Sequence, residues 1–276
     1  MEKANPHDPL LRQVLPLGDE LVPTPGFKTD PVGDLNTQLA PGLLQKYAGR
    51  VLLVATGACA VHCRYCFRRH FPYGDENPRR GQWRAALDAI QADNTIKEVI
   101  LSGGDPLSLN DEHLSHLVNE LAAIPHLIRL RIHTRQPVVL PERVDDNLLA
   151  WLHASRLQKV VVIHSNHAQE IDSRVSDAIN HLRRADCTVL NQAVLLRGVN
   201  DSAAVLANLS ETLFKAGVMP YYLHLLDKVA GAAHFDVPES EAQDLMRTLR
   251  ATLPGYLVPQ LAREIAGEDS KRLVGY

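Results

Sequence analysis

Three cysteines stand within eight residues in Cys59-Ala-Val-His-Cys63-Arg-Tyr-Cys66, spaced C-x3-C-x2-C, directly after the apolar run Val51-Leu-Leu-Val-Ala55. Thiols this close cannot all pair with one another, and an odd number argues against a disulfide framework. A shared metal centre is the economical reading. Iron–sulfur clusters are held by cysteine thiolates, and a cubane takes four ligands, so three cysteines leave one iron open to something other than protein. The competing reading is a structural zinc site completed by His62 or His70. Such a site usually staples a small fold that lacks a core, whereas this chain has ample apolar sequence. The fourth cysteine, Cys187, stands alone before a strand-like run and reads as a small buried hydrophobe.

The elements that must position these thiols repeat along the chain. Apolar, β-branched runs occur at Val51–Val54, Val99–Leu101, Leu127–Ile132, Val160–Ile163, Thr188–Leu196 and Met219–Leu226. After the first gap they recur at the spacing of a βα unit. Amphipathic stretches fill the gaps: Trp83, Leu87 and Ile90; Leu114, Leu117, Val118 and Leu121, with Asn110 as N-cap; Val175, Ile179 and Leu182; and Val205, Leu209 and Leu213 before Gly217. Alternating strands and helices imply a parallel sheet with right-handed crossovers. Six strands are too few for a closed barrel, so an α/β fold of open, partial (β/α)6 type is expected. Residues 1–45, with seven prolines, read as an extended segment wrapping that barrel. Residues 46–255 form the barrel itself, and residues 256–276 a short C-terminal extension whose Tyr256–Leu261 adds an element near the open side.

Polar residues cluster where strands end: the cysteine loop, Ser102-Gly-Gly-Asp105, His133-Thr-Arg135, His164-Ser-Asn-His167, Asn191-Gln192, and His224 with Asp227-Lys228. In barrels of this kind chemistry sits on the C-terminal rim of the strands. Any one of these could be a satisfied loop residue; six groups on one rim make a site. With 276 residues, 45% hydrophobic, and a net charge of −3, nothing points to a nucleic-acid or membrane partner. No run is long enough for a transmembrane helix, the start is no signal peptide, and clustered cysteines suit a reducing cytoplasm.

The cysteine spacing, with Cys66-Phe-Arg-Arg-His-Phe-Pro-Tyr73 and Ser102-Gly-Gly-Asp-Pro106, resembles the lysine 2,3-aminomutase family of the radical S-adenosylmethionine (SAM) superfamily, from about Pro9 to Lys271. The resemblance is strongest to the branch that makes β-lysine for the modification of elongation factor P, through the segment Tyr221–Phe235. It implies the same partial barrel, a [4Fe–4S] cluster on Cys59, Cys63 and Cys66, and SAM on the open iron. It implies pyridoxal 5′-phosphate (PLP) as carrier of the migrating nitrogen and free L-lysine as substrate. A flavodoxin- or ferredoxin-like reductant and a functional link to the ligase that modifies elongation factor P follow as well. A general lysine 2,3-aminomutase of catabolism is the alternative within the same family.

Carried over residue by residue, the resemblance sets Ser102, Gly103, Gly104 and Asp105 against SAM, with His164 and Gln192 near it. Glycines suit close backbone approach to a ligand. Lys46, Tyr47 and Arg50 match the segment that holds the PLP phosphate. Arg68 aligns with the arginine that grips the substrate carboxylate, and Asp227 with a carboxylate that binds the distal ammonium. Glu264 falls where the family has a second such aspartate. Lys271 falls at the lysine that forms the resting imine with PLP, with Lys228 as fallback. Its approach, Gly267-Glu-Asp-Ser, has fewer glycines than the family's, Arg272-Leu273 replaces Thr-Pro, and a tail this near the chain end is expected to fray.

Overall fold

The β-branched runs become the middle of a ten-stranded sheet whose spatial order follows the chain. The computed structural model describes residues 1, 5–76 and 83–275. Its strands are β1 (Gln38–Ala40), β2 (Leu43–Tyr47), β3 (Arg50–Thr56), β4 (Glu98–Gly103), β5 (Arg129–Thr134), β6 (Gln158–His164), β7 (Cys187–Val194), β8 (Met219–His224), β9 (Gln260–Arg263) and β10 (Arg272–Leu273). From β3 to β9 each strand is parallel to the next. The outer pairs β1–β2, β2–β3 and β9–β10 are antiparallel. All six expected strands are present, and the expected extra element is the parallel strand β9.

Helices α1 (Pro9–Arg12) and α2 (Tyr73–Glu76) are single turns. The crossovers are α3 (Trp83–Ala92), α4 (Asp111–Ala123) followed after β5 by the turn α5 (Gln136–Val139), then α6 (Asp146–Ala154), α7 (Ser173–Arg184), α8 (Ala203–Lys215) and α9 (Glu239–Thr252). Helix α4 starts where expected, its Asn110 cap accepting from the His113 amide at 3.0 Å. Helices α6 and α9 had no counterpart in the sequence reading. The buried stripe of α9, Ala242, Met246 and Leu249, is narrow and set among charged residues.

Strand alternation gives the site its chemistry. In β5, Leu130 and Ile132 are buried against the helices, which turns Arg131 and His133 towards the interior cavity. Each large apolar side chain buried on the helix side contributes about 1.5–3 kcal/mol, and that outer core fixes the register of the polar inner face. The N-terminal segment enters the sheet as well as wrapping it, since β2 runs across residue 45. It also crosses the mouth of the barrel, where the Lys28 amide donates to the Lys228 carbonyl at 2.8 Å and the Ala230 amide to the Lys28 carbonyl at 2.8 Å. The two ends of the sheet meet through side chains: Lys46 of β2 and Glu264, just past β9, form an ion pair of 3.2 Å.

Candidate active site

The C-terminal ends of the strands open on a cavity of about 1060 Å³. Its wall contains the residues carried over from the family, Lys46, Tyr47, Arg50, Cys59, Cys63, Cys66, Arg68, Ser102, Gly103, Gly104, Asp105, His164, Gln192, Asp227 and Lys271, together with Glu264, whereas the rim residues Ser165, His167 and Asn191 lie outside it. The fallback lysine, Lys228, is not part of that wall and lies over the Phe27 ring at 5.9 Å.

The three cysteines are half-buried free thiols in the loop after β3. Arg135 Nη1 donates to Cys63 Sγ at 2.8 Å. That guanidinium is held by Glu170 at 2.5 Å and by the Gln13 side-chain carbonyl at 2.7 Å. Burial, and then the nearby Asp105 carboxylate, push the Cys59 thiol up to about 12. Burial followed by Cys63 raises Cys66 to about 11. Such thiols ionise when a metal supplies the compensating charge. Among the described residues, no three His, Cys, Asp or Glu side chains are placed to hold one metal ion. A zinc site needs that convergence, whereas a cubane gives each thiolate its own iron. Three free thiols on one loop are a donor set that fits a cluster with one iron left open. His70, one candidate fourth zinc ligand, faces the Ala230 carbonyl at 3.2 Å. The neighbouring Arg64 and Arg69 share one carboxylate: Arg64 Nε meets Glu20 at 2.8 Å and Arg69 Nη2 meets it at 2.6 Å.

The loop after β4 packs directly on the cysteine loop. A Cβ on Gly103, whose φ is +116°, would lie 2.6 Å from the Thr56 carbonyl, and one on Gly104 would overlap the Ala58 carbonyl. The Gly104 and Asp105 amides donate to those carbonyls, each at 2.7 Å. The close approach that demands these glycines is thus made by the chain itself. Asp105 is engaged in the same way. Its carboxylate accepts from Thr134 Oγ1 at 2.7 Å and from the amides of Arg135 at 2.7 Å, Gln136 at 3.1 Å and Leu107 at 3.1 Å. It staples the β4 loop to the β5 loop beside the thiols.

Across the cavity a chain of alternating charges bridges the open seam of the barrel. Asp34 binds Arg68 Nε at 2.6 Å and Lys46 at 2.7 Å. Lys46 also reaches Glu264, which is ion-paired to Lys271. Burial pushes the Glu264 carboxyl up, but Lys271 and Lys46 overcome it and hold the group down at about 2. The Tyr47 hydroxyl is buried with no well-formed hydrogen bond, and the Arg50 guanidinium lies over its ring at 4.7 Å. The Tyr47 hydroxyl faces the Glu264 carboxylate, and the cations Lys46 and Arg50 beside it are the side-chain types that meet phosphate oxygens. Lys271 does not fray. It is carried in by the β9–β10 hairpin, which the Val274 amide ties to the Leu261 carbonyl at 2.9 Å.

Asp227 is the odd carboxylate out. Among the described residues nothing pairs with it as a cation. Burial first, and then the charge of Glu264, push it up to about 7. The floor is lined by histidines. The Gln192 amide nitrogen lies 2.9 Å from His164 Nε2; an amide NH2 can only donate, so that ring nitrogen accepts. Burial, then Arg135, lowers His164 to about 3, and burial, then Lys271, does the same to His224. Among the described residues, buried His133 Nε2 has no hydrogen-bond partner. These rings are neutral and add no charge to the cavity.

Residues 53–209 match the radical SAM superfamily. The L-lysine 2,3-aminomutase of Escherichia coli (strain K12) is 55% identical over 271 residues, covering 98% of this chain and 79% of that one. The chain belongs to the lysine 2,3-aminomutase family. The Haemophilus influenzae member is 53% identical, over 99% of this chain and 81% of its own. The L-lysine 2,3-aminomutase of Clostridium subterminale is 35% identical, over 97% and 64%. Among solved structures, a radical SAM methyltransferase from Sphaerobacter thermophilus superposes with a TM-score of 0.54 at 18% identity, covering 80% of this chain and 68% of that one, which shows the shared fold. As a family member the chain is an isomerase, and membership implies the [4Fe–4S] cluster, SAM and PLP. Sequence reasoning had missed Asp34, Gln13 and Glu170. Each lies far along the chain from the residue it holds, and an isolated acid or amide gives no motif.

Proposed function

We propose that this chain converts L-lysine to β-lysine using all three groups, with the [4Fe–4S] cluster on Cys59, Cys63 and Cys66. The observation that carries the substrate is the charge layout of the cavity. Buried Arg68 stands ready for a carboxylate, and Asp227, which lines the cavity and among the described residues makes no ion pair, stands beside Glu264. An amino acid with a distal ammonium satisfies both ends. When bound, the cluster with SAM supplies the power to break an unactivated C–H bond, and PLP supplies a carrier for the migrating nitrogen.

The chain's own residues bind and orient. Lys46, Tyr47 and Arg50 would hold the PLP phosphate, and Lys271 offers the amine that anchors the cofactor. Ser102, Gly103, Gly104, Asp105, His164 and Gln192 would shape the SAM side of the cavity. Arg68 takes the substrate carboxylate. A distal ammonium seated between Asp227 and Glu264 replaces Lys271 at Glu264 and frees the Lys271 amine. The walls hold reacting atoms in contact and exclude water and stray hydrogen donors. The electron comes from a flavodoxin- or ferredoxin-like protein in the cytoplasm, where free thiols persist. The product goes to the ligase that modifies elongation factor P, a destination supported by the segment Tyr221–Phe235.

Anaerobic reconstitution with iron, sulfide and PLP, then incubation with lysine, SAM and a reductant, should yield β-lysine. SAM cleavage without any β-lysine would refute the substrate assignment. Asp227→Asn should lose about 3 kcal/mol of lysine binding, on the order of a hundredfold, because an unpaired ammonium in a closed site is costly. Norleucine, which lacks that ammonium, should lose little, and equal losses with both ligands would make Asp227 structural.

The raised Asp227 carboxyl also sets a pH dependence. A bound ammonium favours the ionised form, so binding releases a proton while the free protein still holds one. Lysine affinity should rise with pH up to about 7 and then level off. An unfolded aspartate titrates near ~3.9, so the ligand-free protein should lose stability as pH climbs from there through about 7. Calorimetry and melting curves of wild type and Asp227→Asn read both effects. Identical pH profiles for the two proteins would contradict them.

A further inference from the structure

Arg68 lies in a loop two residues past Cys66, so no strand or helix fixes where its guanidinium points. Three side-chain contacts do. Asp34 Oδ2 accepts from Arg68 Nε at 2.6 Å, and Ser102 Oγ accepts from Arg68 Nη1 at 3.1 Å. The Phe67 ring lies under the guanidinium carbon at 4.7 Å. A guanidinium has a side edge containing Nε and an end edge made by its two amino groups. Asp34 takes Nε on the side edge and Ser102 takes one hydrogen of Nη1, which leaves Nη2 and the second Nη1 hydrogen to meet a substrate carboxylate on the end edge.

Asp34 is itself held rigidly. Its side chain is 2% exposed. The turn carrying it is tied by Asp30, whose carboxylate accepts from the Asp34 amide at 3.1 Å and the Leu35 amide at 3.2 Å. Thr37 Oγ1 donates to the Asp34 carbonyl at 2.9 Å. The second carboxylate oxygen of Asp34 reaches Lys46 on β2 at 2.7 Å. One anion from the N-terminal segment thus touches both the arginine proposed for the substrate and the lysine proposed for the cofactor phosphate.

We infer that Asp34 is a positioning residue for substrate recognition: it fixes the Arg68 guanidinium so that its end edge meets the substrate carboxylate, and it ties that grip to Lys46. The inference rests on the reading that Arg68 holds the carboxylate. Loss of Asp34 frees a buried guanidinium to turn on its side chain and leaves two cations without their shared counter-ion.

The test compares two ligands, L-lysine and 1,5-diaminopentane, which is lysine without its carboxylate. Binding is measured by anaerobic calorimetry on the reconstituted, unreduced holoprotein with SAM present, where no turnover occurs. Asp34→Asn should weaken lysine about tenfold or more and leave 1,5-diaminopentane within about twofold of wild type. Arg68→Ala should bring lysine down to the affinity of 1,5-diaminopentane, and adding Asp34→Asn to it should cost lysine nothing further. Equal weakening of both ligands by Asp34→Asn, or no weakening of either, overturns the inference while the Arg68 arm still stands. If Arg68→Ala keeps the preference for lysine, the carboxylate reading falls and this inference falls with it. Should Asp34→Asn give no soluble holoprotein, Asp34→Glu displaces the guanidinium while keeping the charge. Lysine affinity should then drop severalfold with 1,5-diaminopentane unchanged, and unchanged binding of both would overturn the inference.

Discussion

Cys63→Ala should abolish the iron–sulfur absorption and SAM cleavage together and reduce turnover to background. The loop after β3 offers three thiols to the cluster, so the loss of one leaves two irons without protein ligands. Cys63 is the informative choice because its sulfur also accepts from Arg135, whose other partners, Glu170 and Gln13, anchor the loop to β6 and to the N-terminal segment. Iron content, visible absorption and deoxyadenosine release would be measured on anaerobically reconstituted protein. Cys187→Ala is the control: Cys187 is buried at the start of β7 and outside the cavity wall, and its loss should change none of the three. A Cys63→Ala protein with a full cluster and normal SAM cleavage would remove the metal assignment.

Lys271→Ala should eliminate the pyridoxyl adduct trapped by borohydride and lower turnover by at least about a thousandfold, since no other amine is placed to anchor the cofactor in the same way. Two lysines line the cavity, Lys46 and Lys271. Among the described residues, Lys46 is bound by Asp34, by Glu264 and by the Val32 carbonyl at 2.9 Å, whereas Lys271 pairs with Glu264 alone. The less constrained amine is the better nucleophile, because fewer contacts must break before it acts. Peptide mapping after reduction decides the matter. An adduct on Lys46 or Lys228 in the wild type, or none with PLP bound, would sink the assignment.

The strands were legible because both faces of β3 to β8 follow simple rules: β-branched residues pack outward and polar residues end each strand on the rim. The cysteine triplet and the Ser-Gly-Gly-Asp segment were legible as local motifs. What stayed hidden was non-local. Nothing near Asp34 in sequence shows that its partners are Arg68 and Lys46, and Gln13 meets Arg135 across a separation of 122 residues. The glycines at 103 and 104 were recognised as sites of close approach, but their neighbour is the Thr56–Ala58 backbone, which only the packing of two loops reveals. The tail expected to fray is fixed because β10 finds a partner in β9. Helix α9 was missed because its buried stripe sits within a polar run.

The bridged seam has a consequence for biosynthesis. Lys46 and Glu264 are 218 residues apart in sequence, and Lys271 follows seven residues later. Chains emerge from the ribosome N-terminus first, so the cysteine loop and its supporting strands appear long before the last wall of the cavity. A nascent chain can present its thiols while the PLP side is still unmade. On the proposed assignments, cluster insertion and PLP loading are separable in time, because the PLP side needs both Lys46 and the segment around Glu264 and Lys271. Ribosome-bound chains stalled before Glu264 should acquire iron but retain no PLP.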